Sequence, residues 1–278
     1  MNPSYAPPVD QLLALGELKW GDPWLEYDEL GITAAHVPEL IRLLLDESVY
    51  WAEAGSAEVW ATMHAWRALA QLRAEAAIEP LLEVMGWDDE ADWALDEIPR
   101  VLGMIGPAAL EPVRTALARL AVDKETRWIV AASATNALEE IAKRFPETRE
   151  AVVEALQRQL RWWARQDPDL NASLVSSLVD LQAAEAAPLI EEAFSAGAVN
   201  ESFVGDWEDV QIELGLLAER ITPQPWYGIG PPPGMVHPWR RRMNPERPAP
   251  SRNAAAEAKR RRKAQKASRQ RNRKRKKR

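Results

Sequence analysis

Val101-Leu102-Gly103-Met104-Ile105-Gly106-Pro107-Ala108-Ala109-Leu110-Glu111-Pro112 decides how this chain folds. Before it, Ala94, Ile98, Val101 and Ile105 fall at the three- and four-residue spacing that lines one face of an α-helix. After it, Leu110, Val113, Leu117 and Leu120 do the same. One helix must close and another open within the stretch, and Gly103-Met104-Ile105-Gly106 reads as the closing end. It is not a dinucleotide-binding loop, because no strand pattern precedes it.

The same period continues in both directions. Val37, Leu40, Ile41 and Leu44 share a face, as do Val59, Met63, Trp66 and Ala70, and Ile78, Leu81, Leu82 and Met85. Downstream the stripes run through Val130–Ile141, Val153–Trp163, Leu170–Leu181 and Ala186–Ala193 to a last helix carrying Phe203, Trp207, Val210 and Leu214. No alternating strand pattern competes. Ser56, Asp167-Pro168 and Asn200 supply helix starts. The stripes pair into about five hairpins of about 35–40 residues, the period of stacked helical repeats. Ala77-Ile78-Glu79-Pro80-Leu81-Leu82 is echoed by Ala109-Leu110-Glu111-Pro112-Val113-Arg114 and by Ala187-Pro188-Leu189-Ile190. Trp60 precedes Arg67 as Trp93 precedes Arg100, and Trp128 holds a similar place in the next unit.

Four regions follow. Residues 1–35 form an N-terminal segment or cap with one short helix, Val9 to Leu15, stopped by Gly16. Residues 36–220 are the helical array. Residues 221–251 are a Pro-rich linker: residues 222–250 alone hold nine of the 21 prolines, and proline fixes φ and removes a donor. Residues 252–278 are a basic tail, expected to be disordered because like charges repel.

The net charge of −7 conceals a division. Residues 240–278 carry 19 Lys and Arg against two Glu, a net of +17. The remaining 16 basic and 40 acidic residues leave residues 1–239 at −24. Cysteine is absent, which excludes disulfides, thiol nucleophiles and thiolate zinc sites. No secretory leader and no membrane span are evident, so a cytoplasmic protein is expected.

The opening stretch resembles the junction of HEAT repeats of the phycobilisome-lyase-like type, where a second helix ends in a leucine–glycine–isoleucine–glycine pattern before the next unit opens. The resemblance covers roughly residues 36–215. Gly205-Asp206-Trp207-Glu208-Asp209-Val210-Gln211-Ile212-Glu213-Leu214-Gly215 is similar to the last helix of an uncharacterised bacterial HEAT-like family. The resemblance implies an all-α protein: a right-handed α-solenoid of about five HEAT-like hairpins. Some members of that family end in a cysteine-rich zinc motif. This chain ends in a basic tail instead, so the motif's role does not carry over. The lyase label belongs to a repeat type and implies no lyase chemistry here.

Residues suited to catalysis are sparse. His36, His64 and His237 lie in different elements, and none has a nucleophile at a useful spacing. His36 is expected in the first turn of its helix. His64, in the middle of a helix, is expected to donate to a backbone carbonyl; as a general base with nearby carboxylates it would make the chain a small-molecule enzyme. Asp88, Asp89, Glu90 and Asp92 could hold a hard cation, but lack the glycine and register of a calcium loop. They equally suit a helix start, where the macrodipole favours anions, or contact with a partner. No catalytic residue, cofactor or metal is assigned. Trp60, Trp93 and Trp128 are expected to fill seams between hairpins. Trp162-Trp163 stand about 100° apart on a helix; Trp163 falls on the apolar stripe, leaving Trp162 as an exposed anchor for a protein partner. Trp51 and Trp87 are further candidates.

In the tail, Lys259, Arg260, Arg261, Arg262 and Lys263, then Arg273, Lys274, Arg275, Lys276, Lys277 and Arg278, are candidates for sequence-blind contact with a nucleic acid or ribosome-like polyanion. No aromatic residue interleaves them, so base stacking within the tail is not expected. Alternatively the tail masks the acidic body. The expected function is a non-catalytic scaffold that binds a protein partner through the solenoid surface.

Overall fold

The computed structural model describes residues 4–18, 23–53, 55–87, 93–123 and 127–225. These residues form helices and turns, with no strand among them. The α-helices are α1 (Val37–Leu44), α2 (Glu47–Tyr50), α3 (Ala61–Gln71), α4 (Ile78–Met85), α5 (Trp93–Ile105), α6 (Leu110–Leu120), α7 (Trp128–Arg144), α8 (Arg149–Leu160), α9 (Pro168–Asp180), α10 (Ala187–Ser195), α11 (Glu201–Val204) and α12 (Trp207–Glu213).

The helices pair along the chain, α1 with α3, α4 with α5, α6 with α7, α8 with α9, and α10 with α12. Neighbouring pairs then meet in two rows. α3, α5, α7 and α9 touch in sequence along one row, and α1, α4, α6, α8 and α10 along the other. A short 3₁₀ turn precedes each helix of the second row, at Ala34–His36, Glu75–Ala77, Pro107–Ala109, Pro146–Thr148 and Ala184–Ala186. Ala77, Ala109 and Ala186 take the same fully buried place in their turns. α3 and α9 also end alike: Arg73 and Gln182 adopt left-handed φ of 48° and 52°, and the next amide reaches back to Leu69 O or Leu178 O at 3.0 and 2.9 Å. Repetition in the sequence is thus repetition of local structure.

The seam between α5 and α7 joins the middle of the array. Pro99 lies inside α5 and has no N–H to donate to the Leu95 carbonyl one turn back. Ser133 of α7 supplies the missing donor, with its Oγ 2.6 Å from Leu95 O in a buried contact. One turn further on, Gly103 lets the helices close up. A Cβ there would stand 2.6 Å from the Glu140 Cβ and 3.1 Å from the Glu140 carbonyl carbon. Gly106 then ends α5 with φ of +104°, and the Phe145 ring packs where its Cβ would be. Gly103 is therefore inside the helix, and the helix terminus expected at residues 103–106 reduces to Gly106.

The N-terminal segment holds the expected short helix and glycine stop, and adds packing that its irregular sequence did not foretell. Val9–Ala14 is a 3₁₀ helix, followed by Gly16 at φ +75°. Tyr5, Val9, Leu12, Leu18, Tyr27 and Ile32 are buried in the common core. The segment is fastened to α1 by Arg42, which stacks 4.1 Å from the Tyr5 ring centroid and donates to Ser4 O at 2.7 Å. Glu39 accepts from the Ala6 amide at 2.9 Å, and Tyr5 donates to Asp46 at 2.6 Å. As a result all ten residues from Ala61 to Ala70 of α3 are buried.

At the other end, the single last helix expected from the apolar stripe is two helices. Gly205 at φ +81° breaks the chain, and Asp206 caps α12 in a reciprocal box with Asp209. Phe203, expected on the core stripe, is 57% exposed for that reason. Arg220 closes this end by gripping Asp206 at 2.6 and 2.9 Å and by pairing with Asp209.

Ser133→Ala is expected to cost about 1–3 kcal/mol, because it leaves the Leu95 carbonyl buried without a donor. Pro99→Ala in the same background restores an amide to that carbonyl and recovers much of the loss. Urea unfolding of the four variants measures the coupling; strictly additive losses would show that the two residues do not compensate one another.

Candidate functional site

Among the described residues, eight of the ten buried polar side chains lie on the first row of helices, beginning where the N-terminal segment crosses α3. His64 is 1% exposed, and both ring nitrogens are engaged. Nε2 lies 3.1 Å from Gly16 O, a carbonyl that only accepts, so Nε2 carries the proton. Nδ1 then accepts from the Tyr27 hydroxyl at 2.7 Å. The reach to a carbonyl is what the sequence suggested; the Tyr27 partner was not legible. Burial pushes the His64 pKa down, with the bond to Gly16 opposing it. The ring is a neutral tie between the N-terminal segment and α3.

Beside it lies a second group. Glu97 of α5 accepts from Trp66 Nε1 at 2.6 Å and from Arg67 at 2.5 and 3.0 Å, with Arg67 7% and Glu97 11% exposed at their side chains. Trp24, from the extended stretch before Tyr27, is stacked on by both Arg67 and Arg100, at 4.9 and 4.5 Å from its ring centroid. Gln71 completes the hold on that stretch, donating to Leu25 O at 2.8 Å and accepting from the Tyr27 amide at 3.1 Å. Further along the row, Lys143 bridges Glu139 at 2.5 Å and Asp180 at 2.8 Å, and Ser177 donates to Glu139 at 2.5 Å. Burial raises the Glu139 pKa, and the Lys143 hydrogen bond lowers that of Asp180. These groups link α3 to α5 and α7 to α9. Among the described residues no group of three or more His, Cys, Asp or Glu side chains is placed to hold a metal.

The tryptophans separate into packed and exposed. Trp60 and Trp93 meet edge to face at 5.7 Å, and with Trp128 they pack against the core, as expected of seam residues. Trp51 and Trp87 flank Tyr50, their rings 4.8 and 5.0 Å from it. Both are half-buried. Trp162 is 52% exposed, whereas Trp163 packs on the core. A turn, and not a helical offset, divides them: α8 stops at Leu160, and Trp163 opens a 3₁₀ turn. His36 accepts the Thr33 amide at 3.0 Å just before α1. Asp88, Asp89, Glu90 and Asp92, His237, and the tail residues Lys259–Lys263 and Arg273–Arg278 lie outside the described residues. No described helix is long and apolar enough to cross a membrane.

Paired helices meeting their neighbours in two rows define a helical repeat-like protein. Residues 31–222 match the family model described as a protein of unknown function (DUF1186), and the chain belongs to that family. No curated protein and no solved structure matches it. The match takes in every α-helix among the described residues but leaves out Trp24 and Tyr27, which close over α3.

Because His64 is held below its ordinary pKa, the unfolded chain binds a proton that the folded chain refuses. Its contribution is complete above the unfolded value of about 6.5 and is lost as pH falls from there toward the folded value. Urea unfolding at pH 7.5 and pH 5.5 is expected to show a larger fall in stability for the natural protein than for His64→Gln. Equal falls would mean that His64 titrates as it does in the unfolded chain.

Proposed function

We propose that this chain is a cytoplasmic, non-catalytic scaffold. In this reading it is a right-handed α-solenoid of about five HEAT-like hairpins. It holds a protein partner on its acidic surface and meets nucleic acid or another polyanion through its basic tail. The observation that carries the reading is the division of charge, −24 over residues 1–239 against +17 over residues 240–278. Ordinary solubility needs far less than that. The two rows of helices support it, since stacked pairs leave long surfaces for contact. The occupied ring of His64 supports the non-catalytic part, because neither nitrogen is free to move a substrate proton.

The same division favours a second reading, in which the tail lies on the acidic body until a polyanion or a basic partner displaces it. One set of titrations separates the two. The full chain and a variant lacking residues 252–278 are titrated with a short labelled DNA duplex at increasing salt. The full chain is expected to lose roughly a thousandfold in affinity between 50 and 200 mM salt if about six phosphates are neutralised, and the shortened chain to bind negligibly. Binding that survives the deletion with the same salt slope would remove the tail from the model. If the tail masks the body, the deletion also raises the affinity of the body for a basic peptide such as oligolysine.

A further inference from the structure

We infer that the turn between α8 and α9 is a stacking site for single-stranded nucleic acid, built from Trp162, Arg161 and Arg165. The inference rests on the polyanion reading of the tail and adds what the tail lacks, a flat ring for the bases.

The residues from Arg158 to Arg165 hold three of the 16 basic side chains in residues 1–239. Arg158 is neutralised by Glu154 at 2.5 Å. Arg161 and Arg165 are exposed and make no ion pair among the described residues, in a body of strong negative charge. The guanidinium of Arg165 sits 5.1 Å above the Trp162 ring centroid and so braces one face of the indole. More than half of Trp162 remains open to solvent.

The turn is held from beneath. The amides of Arg161 and Trp162 donate to Gln157 O and Gln159 O at 3.0 Å each, and the Arg165 amide donates to Trp162 O at 2.8 Å. Asn171, fully buried on α9, donates to Trp163 O at 3.0 Å and to Ala198 O at 2.7 Å. Gln159 and Gln166 bond each other at 2.8 Å, and Gln166 donates on to Asn171 at 2.6 Å. Asp167, the acidic residue next along the chain, is taken up in capping α9. The backbone that carries the indole is therefore held in place, and less ordering remains for a ligand to impose.

An exposed aromatic ring braced by one guanidinium and adjoined in sequence by a second, neither ion-paired among the described residues, has the composition of a platform on which a base stacks while its phosphates are neutralised. A basic protein partner is disfavoured at this point by the two arginines. Double-stranded nucleic acid is disfavoured because its bases are already stacked. Trp162 then serves the polyanion and not the protein partner.

The test uses the full chain and two labelled probes of equal length, an oligothymidylate and an abasic deoxyribose-phosphate strand. Trp162→Ala is expected to weaken oligothymidylate binding by about tenfold, to leave abasic binding unchanged, and to leave the urea midpoint in place. Trp162→Phe should recover much of the loss. Arg161→Gln and Arg165→Gln should weaken both probes and each lower the salt slope by about one. Equal binding of both probes by Trp162→Ala and by the natural chain would overturn the inference. So would a Trp162-dependent affinity for an oligoglutamate peptide with none for the oligonucleotide, which would assign the turn to an acidic protein. Failure of the tail reading has a different signature: deleting residues 252–278 leaves the affinity for both probes intact, while the Trp162 contrast between them is still measurable.

Discussion

Everything in the array is referred to the contact between α5 and α7. A proline within a helix ordinarily leaves one carbonyl without a donor and bends the axis away from it. Here the buried carbonyl of Leu95, freed by the proline, is turned to use, because Ser133 on the next pair donates to it. Gly103 then removes the side chain that would hold the two helices apart. A polar bond and a close approach, about two turns apart on α5, fix both the spacing and the register of neighbouring pairs. α3 and α9 add on either side of this seam, each with its own polar link, through Glu97 and through Glu139.

The two ends are finished by different means. At the first end, a segment with little regular structure packs six apolar side chains and is joined to the helical row through the Gly16–His64 bond and the Trp24–Arg67 stack. At the last end, one arginine binds the carboxylates that cap the final helix. At the first end this buries α3 from Ala61 to Ala70; at the last, Phe203, Leu216 and Ile221 stay exposed.

Much of this was legible because helical periodicity is a local property. Each stripe from Val37 to Ala193 needed only its own residues to be recognised, and the Asp167-Pro168 and Asn200 starts were correct to the residue. What was missed depends on groups distant in sequence. Pro99 and Ser133 are in different helices, and Gly103 looks like a helix stop until Glu140 is seen beside it. The burial of α3 on all sides also required a segment whose sequence reads as loop. The break at Gly205 is a different kind of miss. Its signal was present, a glycine followed by a capping pair at Asp206 and Asp209, but the apolar stripe running through it outweighed that signal. Of the candidate site residues, Trp162 could be separated from Trp163 on sequence alone, whereas the arginine bracing it gains its meaning from the turn.

The closure over α3 has a bearing on how such a protein could change in length. A tandem array normally grows by copying a unit and docking the copy on whichever terminal unit is bare. Here the outermost helix of the first row has Tyr27 and Trp24 where another unit would have to sit. Duplication at that boundary would expel both rings and break the His64 tie. Growth at that boundary is therefore disfavoured, and a unit inserted between α5 and α7 would have to reproduce their serine and glycine.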